Sequence, residues 1–283
     1  MNSGDCRRID APPFSDGRII REAEELTRGY VRATNPDPVI PLSINFDHIY
    51  EHYIYPNYGI VLEEDCDLGR DERGKKILGV FDFETNTACI DASLGPQSRD
   101  PRRIFTCWHE VGGHGILQGD WLRREWGRFR DSRAVVTTEE SIDGRTISQL
   151  ERQANLFAAH AAAPTWFLRQ VLRETYGFDR AIRYLGPGNY TLIVNERTVP
   201  GKVEDFNDLC RIVAYYIGWR FGGLSNEALG YRVKEVDFVV DASRPGLRLN
   251  RVARAPTRLS RGSPVLALAG SRLLTATAPE PAV

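Results

Sequence analysis

Two histidines and a glutamate set into an apolar run constrain this chain more than any other feature. The run is Phe105-Thr106-Cys107-Trp108-His109-Glu110-Val111-Gly112-Gly113-His114. Ionisable groups in apolar surroundings are costly unless paired, hydrogen-bonded or bound to a metal. His-Glu followed closely by His is the pattern of zinc peptidases, in which two imidazoles bind the metal and the glutamate works on its water. The usual spacing sets the histidines four apart, and here they are five apart.

That extra residue has a geometric cost. On a straight helix, residues four apart are about 40° from alignment and residues five apart about 140°. His109 and His114 can share an ion only if a π-bulge absorbs the insertion, a device that recurs at functional sites. Gly112 and Gly113 lie inside the interval. Paired glycines cost a helix roughly 1 kcal/mol each against alanine, and they let the backbone bulge with little steric strain. Shared coordination at zinc–nitrogen bonds of about 2 Å predicts ring nitrogens roughly 3–3.5 Å apart.

A catalytic zinc takes three protein ligands and leaves one position open. Glu151 is the first candidate for the third ligand. It lies at the edge of a helix predicted over 147–163, whose buried face is Leu150, Ala154, Phe157, Ala158 and Ala161. Asn155, one turn on, is placed to orient Glu151 from behind. His160 is a weaker alternative ligand. Taken alone, Glu151 also reads as an ordinary surface carboxylate. His48-Ile49-Tyr50-Glu51-His52 matches the inverted HxxEH zinc motif. There, however, helical geometry turns both histidines away from the apolar stripe and toward water.

The rest of the chain supplies the frame. With 283 residues, 42% hydrophobic and 27% charged, it can bury a substantial core. A net charge of −1 argues against a chain-wide electrostatic nucleic-acid binder. No apolar run suits a bilayer and the first residues hold no signal-type segment, so a cytoplasmic protein is expected. The five cysteines, Cys6, Cys66, Cys89, Cys107 and Cys210, are widely spaced without a CxxC, which predicts separate reduced thiols. Helices are predicted over 17–33 (stripe Ile20, Ala23, Leu26, Tyr30, Ala33), after Pro41, from Pro101 through the central motif, over 165–176 and over 203–221. The last is broken by Gly222-Gly223, and Ser225 caps one more helix. Strands are predicted over 59–62, 77–83, 87–92 and 190–195, with a hairpin at 84–86, and 63–76 reads as a charged loop. The region 119–146 reads as a helix followed by a loop over the site.

The fold class expected is α+β: a zincin-like helical domain with a small antiparallel or mixed sheet packed on the active-site helix, plus a C-terminal helical pair. The organisation expected is a flexible N-terminus over 1–16, one domain over 17–241 including the pair at 203–241, and a disordered basic tail over 242–283. The pair has the outline of a helix-turn-helix, but its first helix is too apolar and its second too acidic to read DNA. Direct nucleic-acid contact is expected only through the arginine-rich tail.

Three blocks together resemble the ImmA/IrrE family of zinc metallopeptidases. They are Arg103 to His114 after a strand pair; Glu151-x-x-Ala154-Asn155-x-Phe157-Ala158-Ala159 with Pro164; and Leu224-Ser225-Asn226-Glu227-Ala228-Leu229-x-Tyr231-Arg232-Val233. The resemblance spans about 17–241. The sequence departs from the family in the one-residue insertion and in Ala161-Ala162-Ala163 before Pro164. The inserted spacing itself resembles the HExxGH of the dipeptidyl peptidase III family. The ImmA/IrrE resemblance implies zinc held by His109, His114 and Glu151, with Glu110 as general base. It also implies an intracellular endopeptidase acting on a helix-turn-helix repressor. The alternative is an inactive relative that binds a repressor without cutting it.

Overall fold

The computed structural model describes residues 11–34, 43–71, 74–96, 100–131, 144–177, 181–243, 265–269 and 272–276. The chain is a mixed α+β protein that divides into two compact units. One unit runs to Pro164 and includes Phe221–Leu224; the other comprises Thr165–Arg220 and Ser225 onward. No described helix is long and apolar enough to cross a membrane.

In the first unit, helix α1 (Asp16–Thr34) buries Ile19, Ala23, Leu26 and Tyr30. Ile19 rather than Ile20 heads the stripe, and Ala33 is exposed. Helix α2 (Phe46–Ile49) is capped by Asn45, whose side chain accepts from the His48 amide. It passes through a π turn (Tyr50–Ile54) into α3 (Tyr55–Tyr58), which ends at Gly59 with φ 59°. That left-handed conformation suits glycine. His48 and His52 are both exposed, as helical geometry requires. Residues 11–15, expected to be a loose lead-in, include a buried Pro12.

Strands β1 (Val61–Cys66), β2 (Gly79–Asp82) and β3 (Thr87–Asp91) form a sheet in the order β1-β3-β2. β1 is parallel to β3 and β2 antiparallel, the hairpin turning through Asn86 at φ 57°. β1 extends into a stretch whose charges suggest a loop. Its inward carboxylate is neutralised there: Glu64 lies 2.7 Å from the buried Arg103, which also binds Asp47 at 2.7 Å.

Helix α4 (Arg102–Cys107) starts after Pro101 and runs into a π-helical segment (Trp108–Gln118), then α5 (Gly119–Asp131). The expected loop over the site falls within 132–143, outside the described residues. Helix α6 (Gly144–Ala162) buries the predicted face of Leu150, Ala154, Phe157, Ala158 and Ala161.

The second unit comprises α7 (Thr165–Tyr176), β4 (Ile182–Tyr184), β5 (Gly188–Val194), β6 (Arg197–Val203), α8 (Phe206–Ile217), α9 (Asn226–Glu235) and β7 (Val239–Asp241). Asp205 and Ser225 cap α8 and α9 through their side chains. The helix predicted from 203 begins later because Val203 completes β6. Strands β8 (Val265–Ala269) and β9 (Arg272–Ala276) continue a sheet of order β6-β5-β8-β9, within the stretch composition marks as disordered.

Candidate metal centre

The π-helical segment resolves the spacing problem. Hydrogen bonding from i to i+5 brings residues five apart onto one face. His109 Nε2 and His114 Nε2 lie 3.1 Å apart, within the window expected for a shared ion. The glycines act differently from expectation. Neither Gly112 nor Gly113 has positive φ; they allow α6 to approach. A Cβ on Gly113 would stand 2.5 Å from the Ala154 Cβ, and one on Gly112 would stand 2.6 Å from Phe157 Cε1.

That approach delivers the third donor. Glu151 Oε2 is 3.1 Å from His109 Nε2, and Glu151 Oε1 is 3.4 Å from His114 Nε2. His109, His114 and Glu151 thus form a group that could hold a metal ion. His160 is not in it: this buried residue lies on α6 with Nδ1 3.7 Å from Glu24.

Hydrogen bonds fix both rings. Gln118 Nε2 donates to the Leu150 carbonyl at 2.8 Å and to Gln153 Oε1 at 3.2 Å. Its Oε1 is left to accept from His114 Nδ1 at 2.9 Å. Asn155 Oδ1 accepts in the same way from His109 Nδ1 at 3.2 Å. With the protons on both Nδ1 atoms, both Nε2 lone pairs point at the Glu151 carboxylate. Two lone pairs and an anion facing one point repel each other unless a cation lies between them, so the donor set fits a metal ion. Asn155, expected behind Glu151, meets the His109 ring instead. Gln118 was not anticipated, although it lies four residues after His114 and so one turn away. Gln153 in turn donates to the Pro12 carbonyl at 2.8 Å, which ends the chain of bonds.

Electrostatics follow burial. Desolvation raises Glu110 above the usual carboxylate range, partly opposed by the two imidazoles. Desolvation also disfavours charge on His114, but the Glu151 and Glu110 carboxylates outweigh it and the ring titrates above its ordinary value. Glu151 is held far below the usual range by its bonds to both imidazoles.

Glu110 is buried beneath β2. A Cβ on Gly79 would meet its Cγ and Oε1 at 2.6 Å, so only glycine lets the strand lie this close. β2 is the end strand of its sheet. With the metal-binding group it lines a cleft of 330 Å³ whose walls include Phe81, Phe83 and Leu150. A roomier cleft of 440 Å³ in the second unit is lined mainly by apolar and tyrosine side chains such as Leu192, Ile212 and Tyr216. It holds no comparable donor set, so size does not mark the chemistry here.

The structure also brings together a second group that the cysteine spacing concealed: Glu63, Cys66 and Cys89.

No protein-family model matches the chain, and no curated protein matches it. A solved structure of a Mycobacterium tuberculosis transcriptional regulator aligns over 93% of this chain at 13% identity and a TM-score of 0.41. The chain spans 56% of that protein. A likeness this loose carries no argument about fold or function.

Proposed function

We propose that the chain is a zinc-dependent metallo-endopeptidase of the ImmA/IrrE type with a zincin-like active-site unit. The observation that carries this reading is the convergence of His109 Nε2, His114 Nε2 and Glu151 beside a buried glutamate of the same helical segment. His109, His114 and Glu151 would hold zinc, which supplies a Lewis acid that polarises a carbonyl and acidifies a water.

The chain's own residues do the rest. Glu110 takes a proton on its carboxylate from the attacking water and passes it to the leaving amine nitrogen. Its burial suits that task, because a raised carboxyl is a better acceptor and still returns the proton. Gln118 and Asn155 keep both Nδ1 atoms protonated and both Nε2 atoms facing inward. Among the described residues β2 pairs only with β3, so an extended peptide can pair to its other edge as an added strand. The substrate proposed is a helix-turn-helix repressor, cleaved in the cytoplasm.

Glu110→Gln is the test. Purified wild type should carry one zinc per chain that is lost in His109→Ala/His114→Ala, and the Glu110→Gln variant should keep it. Cleavage of a co-expressed repressor, followed by mass spectrometry, should fall by about 10²–10⁴-fold in the variant. Wild type that binds zinc and repressor but leaves every peptide bond intact would favour the inactive regulator instead.

A further inference from the structure

The sheet carries a second set of soft donors on the face turned away from the helical site. Gly79 and Phe81 of β2 face the π-helical segment, where Phe81 touches Gly115 and Gly79 touches Glu110. Val80 alternates to the opposite face, and its register partner on β3 is Cys89. Glu63 of β1 is the register partner of Cys89 on the other side.

Strict alternation would send Cys66 to the wrong face, since it lies an odd number of residues from Glu63. The register shifts between them: three steps along β1, Glu63 to Cys66, match two along β3, Cys89 to Asp91. The extra residue is a bulge, and bulges re-aim side chains. It turns Cys66 toward Glu63 and Cys89. Cys66 Sγ lies 4.0 Å from Glu63 Oε2 and 3.7 Å from the Glu63 carbonyl. Cys89 Sγ lies 4.0 Å from the same Oε2. One donor atom from each of the three residues lies within 4.8 Å of the others.

We propose that Glu63, Cys66 and Cys89 form a second metal site, for a thiophilic divalent ion of the zinc class, that clamps β1 to β3. Two sulfurs and one carboxylate are a zinc-type donor set with a fourth position left for water. The site is half-exposed, so an ion has a way in.

A bound divalent ion's own charge displaces the thiol protons. In binding, the two Cys S–H bonds are replaced by bonds to the metal and two protons leave to solvent; no electron is transferred. Residues of β2 flank the site, so the clamp would stiffen the sheet whose end strand lines the cleft. This proposal does not depend on zinc at His109 and His114.

Cobalt(II) separates the two sites, because only thiolate ligation gives an intense sulfur-to-cobalt charge-transfer band in the near ultraviolet. The full, reduced chain is titrated with cobalt chloride under argon. The band is expected in wild type, retained in His109→Ala/His114→Ala, weakened in Glu63→Gln and abolished in Cys66→Ser/Cys89→Ser. Wild type without the band at several-fold excess of cobalt would overturn the proposal, as would a band that survives in the double serine variant. A free-thiol assay on wild type in air without metal adds a third check. Loss of two of the five thiols there, while Cys66→Ser/Cys89→Ser keeps its three remaining thiols, would mean a disulfide pair in place of a metal site.

Discussion

Gln118 decides what His114 can do. Its amide is locked by the Leu150 carbonyl and Gln153, so its oxygen must face the ring and the ring must present Nε2 to Glu151. Gln118→Ala removes that lock without touching a proposed ligand. Zinc affinity should fall by about 10–100-fold, read by competition with a coloured chelator. Asp91 plays the corresponding role in the sheet. Lys76 Nζ at 2.7 Å, the Ser93 hydroxyl at 2.7 Å and the Ser93 amide at 2.9 Å hold its carboxyl well below the usual range. A carboxyl depressed in the folded state adds stability above its unfolded pKa of about 3.9 and loses it as pH falls below that value. Asp91→Asn should therefore lower the urea midpoint at neutral pH and flatten its decline into acid. At this scale the candidate metal-binding group was legible where it was motif-borne, as with His109, His114 and Glu151. Gln118 stayed hidden because a glutamine inside an apolar helix says nothing of its partner until the neighbouring backbone is in place.

The π-helical segment is the element on which the centre depends, and its glycines are there for α6. Gly113→Ala would drive a methyl to 2.6 Å from the Ala154 Cα, where no flexible side chain can yield. The helices must separate, and overpacking of this kind costs about 1–3 kcal/mol. The measurable result is a lower urea midpoint together with weaker zinc binding, since Glu151 rides on the displaced helix. A π turn was legible from the inserted residue and the expected chemistry. Helices α6 and α7 were legible from their apolar periodicity and Pro164 between them. β6 was not: Pro200 and Gly201 argue against a strand, yet β6 ends its sheet, where a missing backbone donor is tolerated. β1 runs past residue 62, where its acidic residues suggest a loop: Glu63 and Asp65 are exposed, and Glu64 between them pairs with Arg103. The same bulged strand concealed the cysteine pair, since sequence distance gives no warning that residues 66 and 89 become neighbours.

The whole molecule is two compact units, and all the proposed zinc donors belong to one of them. A ligand that binds only the folded form stabilises it by about 2.7 kcal/mol at a hundredfold excess over Kd. Removing zinc with a chelator should therefore lower one calorimetric transition and leave the other in place. A uniform shift of a single transition would mean that the units unfold together. A further consequence lies at Pro12, whose carbonyl receives the last hydrogen bond of the series that starts at the His114 ring. The segment at Pro12 is thus a latch on imidazole orientation, three hydrogen bonds away. A protease nick just after Phe14, or a binding protein that peels this strap from α6, would loosen the ring without ever entering the cleft.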